Sequence, residues 1–189
     1  MIILASTSPR RKQLLEQMGL EFTVVPSEVE EILDPALSPR QQVEALSKRK
    51  AEAVAKKYSD AIIIGADSMV ALGDEVFGKP KDAQDARRML KLLRGKMHRI
   101  VTGFTLIDVA ANRTIIKSVE TNVWFRKIEP AEISAYIEKE KPFDKAGAYG
   151  IQDRGSLFVE KIEGDYFGAV GLPVFTLAKE LKKLGVDIF

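Results

Sequence analysis

Residues 61–68 read AIIIGADS, an apolar run that ends on an aspartate. A run without polar alternation is what a strand shows when both of its faces are covered, as in a parallel sheet flanked by helices. The pattern predicts a strand over residues 61–66 that ends on Asp67. In open α/β sheets, ligands gather beyond the carboxyl ends of strands. A carboxylate at such a place is held rigidly and partly desolvated, which suits a general base or a metal ligand. The competing reading of Asp67 is a turn capped by its own side chain.

The flanking sequence repeats the same punctuation. Towards the N-terminus, residues 2–5 form a short apolar strand, and Ser8-Pro9 carries the cap and first-turn signature of a helix closed by Gly19. A second strand over residues 22–25 leads into an acidic loop, PSEVEEILDP, at 26–35. Ser38-Pro39 then opens a long helix reaching about residue 58. On the other side comes a turn-rich segment around Gly73, Gly78 and Pro80, then a helix over 82–93. Two alternating strands follow at 98–109 and 114–126, joined by AANR, and the second puts Val119, Thr121, Val123 and Phe125 on one face. Pro130 opens another helix, a glycine-rich stretch at 144–155 precedes a strand, SLFVEKI, and a last helix covers 173–184. The expected fold is α/β, a long mixed sheet flanked by helices, in a single domain over residues 1–189.

Composition narrows the chemistry. Lysine and arginine number 29 against 27 acidic residues, a net charge of +2, which excludes a polyanion-coating protein and argues against nucleic acid as a partner. There is no cysteine and one histidine, so disulfides, zinc ribbons and thiolate nucleophiles are out. Only His98 could serve serine–histidine chemistry, and without a G-x-S-x-G elbow it reads as a structural hydrogen-bonding residue. The apolar start is too short for a signal peptide and no later run spans a membrane, so a cytoplasmic protein without membrane contact is expected.

Several stretches point to anions. SPRR at 8–11 puts Arg10 and Arg11 in the first turn of a helix, the positive end of its dipole. An anion bound there would offset that repulsion, with backbone N–H groups and guanidinium forks converging on it. Lys50 falls on the apolar stripe of Val43, Leu46 and Val54, so it either snorkels outward or reaches inward to an anion held by the first helix. GDEVFGKP at 73–80 has P-loop spacing, but Pro80 stands where the magnesium-binding hydroxyl belongs and no helix follows Lys79 directly. DKAGAYGIQ at 144–152 sets Gln152, which can donate and accept, beside flexible backbone. The inventory is Arg10, Arg11, Lys50 and Lys79 for anions, with Asp67 and Glu30 or Glu31 for a metal or water. That set suits metal-assisted attack on a polyphosphate better than acyl transfer.

Taken together, LASTSPRR, Lys50-Ala51, GADS, GKP, HRIVTG, DKAGAYGIQ and GDYFGAVGLP occur in order along nearly the whole chain and resemble the Maf family, septum-formation-inhibitor-like nucleotide pyrophosphatases. The resemblance implies a fold like that of inosine-triphosphate pyrophosphatases, with two lobes around a nucleotide cleft. It implies hydrolysis of nucleoside triphosphates between the α and β phosphates, with Mg²⁺ or alternatively Mn²⁺ or Co²⁺, in a homodimer. By motif, Asp67 matches the proton acceptor, Ser6, Arg11, Lys50 and Lys79 match phosphate-binding positions, and Glu31 matches an acidic site residue that with Asp67 faces the metal. Arg10, Ser68 and Gln152 match the branch acting on dTTP and UTP, whereas the branch acting on 7-methyl-GTP carries other residues there. Ser68 stands where threonine is commoner and Gly168 where asparagine is common. A non-catalytic nucleotide-binding regulator of septum formation is the alternative from a different class.

Overall fold

A computed structural model describes all residues 1–189. The strands are β1 (Ile2–Leu4), β2 (Thr23–Val24), β3 (Ile62–Leu72), β4 (Glu75–Phe77), β5 (Met97–Asp108), β6 (Arg113–Phe125) and β7 (Val159–Gly164). The helices are α1 (Pro9–Gln17), α2 (Pro39–Ala55), α3 (Ala83–Leu93), α4 (Pro130–Glu140), α5 (Tyr166–Val170) and α6 (Val174–Lys182). Two 3₁₀ turns lie at Ala146–Ala148 and Arg154–Phe158. The strands form one sheet in the order β2-β1-β3-β5-β6-β7, with β4 also paired to β3. It is mixed, as expected: β1 runs parallel to β2 and β3, while β4 pairs β3 and β7 pairs β6 antiparallel.

The decisive strand is longer than its apolar run. β3 continues past Asp67 to Leu72, where β4 takes up its C-terminal part, so the expected strand end is a mid-strand position. β1 is in register with Ile62, Ile63 and Ile64, and β4 with Val70, Ala71 and Leu72. Asp67 lies in the stretch between those two registers. The polar residues Asp67 and Ser68 hid this extension, because an interrupted apolar pattern reads as a terminus while hydrogen bonding of the backbone ignores side-chain polarity.

The chain divides into two compact units. The first comprises Met1–Asp67, Thr102–Val119 and Gly171–Phe189, and the second Ser68–Val101 and Glu120–Val170. In the first, Ile3, Ala5, Ala51, Val54, Ala61 and Ile63 form a solvent-excluded cluster. Helix α2 approaches its sheet so closely that a Cβ on Gly65 would lie 2.3 Å from the Ser47 carbonyl oxygen, and one on Gly103 would lie 2.8 Å from that of Val43. Only glycine allows that contact. Ser47, between them, exchanges a 2.9 Å hydrogen bond with Thr105, so the helix is also pinned by a buried polar pair.

In the second unit, α3 turns Ala86, Met89, Leu90 and Leu93 inward and packs on α4 and the Ala146–Ala148 turn. On β6, Thr121, Val123 and Phe125 are buried as the alternation predicts, while Val119 on the same face is half-buried. The strand expected over SLFVEKI begins only at Val159, because residues 154–158 coil into a 3₁₀ turn that buries Phe158.

The two serine-proline caps behave differently. Ser38 makes a full capping box with Gln41, its hydroxyl accepting from the Gln41 N–H and its own N–H donating to Gln41 Oε1 at 2.9 Å. Ser8 occupies the cap position of α1 without a side-chain cap bond. Its N–H instead donates to Ser6 Oγ at 3.2 Å.

Candidate active site

Helix α2 organises the site. Its close seat on Gly65 brings Lys50 over β3 at Asp67, and the Lys50 ammonium donates to Asp67 Oδ1 at 2.6 Å and to Glu31 Oε1 at 2.8 Å. The Lys50 and Asp67 side chains are 8% and 9% exposed, Glu31 42%. The Lys50 side chain points inward, and its partners are carboxylates of β3 and the acidic loop, not an anion at the first helix. A buried ion pair of this kind is weak evidence for stability, since desolvation offsets much of the attraction. An arrangement that holds a carboxylate and an ammonium together out of water, with a second carboxylate half-exposed beside them, needs another reason to exist.

Glu31 belongs to the acidic loop after β2, and α2 fastens that loop along one face. Arg49 donates to the Glu30 carbonyl at 3.0 Å. Gln42 exchanges hydrogen bonds with the Asp34 backbone in both directions. Gln42, Arg49 and Lys50 recur at helical spacing, which puts them on the same side of α2. The sequence reading passed over Gln42 and Arg49, although this polar stripe was the available signal.

The fourth group comes from α1. Arg11 donates through Nε to the Gly171 carbonyl at 2.9 Å and through Nη1 to Ser6 Oγ at 3.3 Å. Burial lowers the Arg11 pKa below its ordinary value. Asp67 and Glu31 pull it back up and Arg10 pushes it down, so Arg11 feels the charge of both carboxylates. Gly171 was also missed, and its signal was the Gly-Leu-Pro end of the GDYFGAVGLP motif. Because the Ser6 hydroxyl meets a guanidinium, which cannot take its proton, the site holds no activated serine nucleophile.

Ser6, Arg11, Glu31, Lys50 and Asp67 therefore gather in the first unit, with Arg10 half-buried beside Arg11 in the first turn of α1. The other expected residues belong to the second unit. Ser68 is half-buried, directly after Asp67 on β3. Lys79 is exposed just beyond β4, and Gln152 is exposed after the Ala146–Ala148 turn. His98 is buried, with Nε2 2.7 Å from the Tyr149 hydroxyl, in keeping with a structural role.

No group of three or more histidine, aspartate or glutamate side chains is arranged to enclose a metal ion. The Asp67–Glu31 pair already closes around one cation, the Lys50 ammonium. Mg²⁺ characteristically takes one or two protein carboxylates and completes its shell with substrate phosphates and water. The donor set fits a divalent cation of that kind.

The fold is shared with a protein of known structure. A HAM1 protein of Coxiella burnetii of known structure superposes with a TM-score of 0.53 over 96% of this chain and 98% of its own, at 12% identity, which shows a shared fold. At sequence level the likeness is closer. A dTTP/UTP pyrophosphatase of Alkaliphilus oremlandii is 49% identical over 96% of this chain and 94% of its own length. Another of Methanosarcina barkeri is 46% identical over 100% and 96%, and a third, of Bacillus cereus, is 46% identical over 99% and 97%. The pattern that defines the Maf-like protein family matches residues 1–184, a span that contains every residue of the site above, and the chain belongs to that family.

Proposed function

We propose that the protein is a nucleoside triphosphate pyrophosphatase that hydrolyses dTTP and UTP, together with modified pyrimidine nucleotides, to the monophosphate and pyrophosphate. Such an activity cleans the nucleotide pool, and no helix is long and apolar enough to cross a membrane. The reading takes the cytoplasm as its compartment and a homodimer as its assembly. One observation carries it: a buried lysine ammonium held between two carboxylates, with Arg11 in electrostatic reach at a helix N-terminus. The names of the relatives support the same substrates.

The roles follow from charge. A triphosphate carries roughly four negative charges, and catalysis of its transfer is mostly positioning and electrostatic stabilisation. Arg11, Lys50, Lys79 and the Ser6 hydroxyl bind phosphate oxygens. Asp67 orients a water and accepts its proton as the water oxygen bonds to the α phosphorus. The bond from that phosphorus to the α–β bridging oxygen breaks, and pyrophosphate leaves with the bridging oxygen. A divalent cation facing Glu31 and Asp67, Mg²⁺ or alternatively Mn²⁺ or Co²⁺, supplies neutralisation of phosphate charge when bound. Arg10, Ser68 and Gln152 read the base, Gln152 because its amide both donates and accepts.

The test is a pyrophosphate-release assay in which dTTP, UTP and 7-methyl-GTP compete, with and without Mg²⁺. The expected result is turnover of the two pyrimidine nucleotides only with the metal. Equal or better turnover of the methylated purine would overturn the reading of Arg10, Ser68 and Gln152. Binding without pyrophosphate release from any of the three would favour the regulator of septum formation instead.

A further inference from the structure

We propose that Lys50 is a placeholder for the divalent cation: its ammonium bridges Glu31 and Asp67 until the nucleotide arrives, and it transfers to the triphosphate as the metal enters. The metal then binds with the nucleotide and not ahead of it. This rests on the reading of Glu31 and Asp67 as the metal-facing carboxylates.

The geometry sets the two cations in competition. The ammonium sits 2.6 Å from Asp67 Oδ1 and 2.8 Å from Glu31 Oε1, so it holds one oxygen of each carboxylate. A cation bridging the same two oxygens competes for that space. Charge says the same. Lys50, Arg11 and Arg10 face Glu31 and Asp67, so the five groups sum to one positive charge. A divalent cation entering alone would raise that to three in a site where Lys50 and Asp67 are shielded from water, and little dielectric screening offsets it. A metal–triphosphate complex brings roughly two net negative charges instead, which leaves about one negative charge, and its phosphate oxygens offer the ammonium a new partner.

The fold limits how the exchange can happen. Helix α2 is pressed onto the sheet at Gly65 and Gly103 and tied to β5 through Ser47, so the Lys50 backbone has no room to shift towards it. The movement must come from the four-carbon stem of the side chain, whose rotamers are accessible at small cost. The carboxylates stay put. Glu31 is on a loop fastened by Arg49 and Gln42, and Asp67 is in the interior of β3. Lys50 is thus the mobile cation between two stationary carboxylates.

The experiment measures Mn²⁺ binding by the loss of the free-ion electron paramagnetic resonance signal, in nucleotide-free protein. Wild type, Lys50→Met and Lys50→Met/Glu31→Gln are compared, and wild type is repeated with a non-hydrolysable α,β-imido analogue of dTTP after subtracting binding by the analogue alone. A charge-assisted pair is worth enough that Lys50→Met should bind Mn²⁺ about tenfold tighter or more than wild type. The double variant should lose the gain, and the analogue should raise wild-type affinity by a similar factor. Wild type binding Mn²⁺ as tightly as Lys50→Met, or more tightly, overturns the proposal. Should Lys50→Met fail to fold around an unpaired Asp67, the wild-type arms decide alone: equal Mn²⁺ affinity with and without the analogue overturns it. Pyrophosphate release by wild type is scored separately. A wild type that binds the analogue but releases no pyrophosphate from dTTP or UTP loses the functional reading, while the Mn²⁺ competition still decides the role of Lys50.

Discussion

Each unit of this protein buries ionisable side chains, and the two do so in opposite ways. In the first, Lys50 and Asp67 are buried as ions against each other, with Glu31 and Arg11 completing a compensated set. In the second, His98, Tyr149, Phe125, Tyr136 and Phe158 form a chain of edge-on ring contacts at 4.6–5.9 Å between centroids. There the titratable groups are kept neutral. Burial pushes His98 down to about 4, opposed by a backbone hydrogen bond at Lys96, and pushes the Tyr149 hydroxyl well up. Tyr136 is pushed up to about 12, first by burial, while a hydrogen bond from the Gly150 N–H, 3.4 Å away, works against the shift. Depth alone therefore does not mark chemistry. Charged partners keep a buried group ionised and available to a substrate, whereas aromatic partners remove its charge and leave it a packing element with one hydrogen bond.

The contrast can be broken by experiment. The largest effect is expected for Asp67→Asn, which keeps the shape of the side chain but removes the proton acceptor. Pyrophosphate release should fall by about 10²–10⁴-fold with circular dichroism unchanged. Full activity would put the chemistry elsewhere.

Next comes His98, where pH should act on stability. Its folded pKa, about 4, lies below its ordinary 6.5, so the unfolded chain binds more protons between those values. Stability from this source is complete above pH 6.5 and is lost as pH falls towards 4, by about 3 kcal/mol in all. Urea unfolding of wild type against His98→Gln across that window should show the difference, with the variant lacking this slope. Parallel curves would mean His98 is not held neutral by the fold.

A smaller effect is expected where α2 meets the sheet. Gly65→Ala forces a methyl group against the Ser47 carbonyl, and the shift of α2 should destabilise the fold by about 1–3 kcal/mol. Because Lys50 moves with the helix, KM for dTTP should rise as well. A change in stability with no change in KM would separate the helix seat from the site. The mildest is Arg49→Ala, which releases the Glu30 carbonyl and loosens the loop carrying Glu31. One hydrogen bond of this kind corresponds to a rise in KM of about threefold, read from steady-state kinetics.

Much of the fold was legible because it depends on neighbours in sequence. The AIIIGA run meant a strand covered on both faces, and Ser38-Pro39 with Gln41 meant a helix start, since a capping box closes within four residues. The Val43, Leu46, Lys50 and Val54 stripe put Lys50 on the inner face of α2. Where local signals misled, a distant group had intervened. Ser8 makes no side-chain cap; its N–H donates to Ser6 Oγ, and the first turn is tied instead to Gly171, 160 residues beyond Arg11. β3 outlasts its apolar run because β4 returns to pair with it.

By itself, then, the sequence determined the cation and carboxylate inventory, the elements that carry it and the family to which it belongs. Only the tertiary structure decided who partners whom: that Lys50 reaches two carboxylates, that Asp67 lies within a strand, and that Arg11 binds a carbonyl from near the other end of the chain. The reason is range. Caps, periodicity and strand runs are set by contacts a few residues apart, whereas the site exists because two glycines let a helix backbone touch a sheet, a closeness that side-chain patterns alone do not encode.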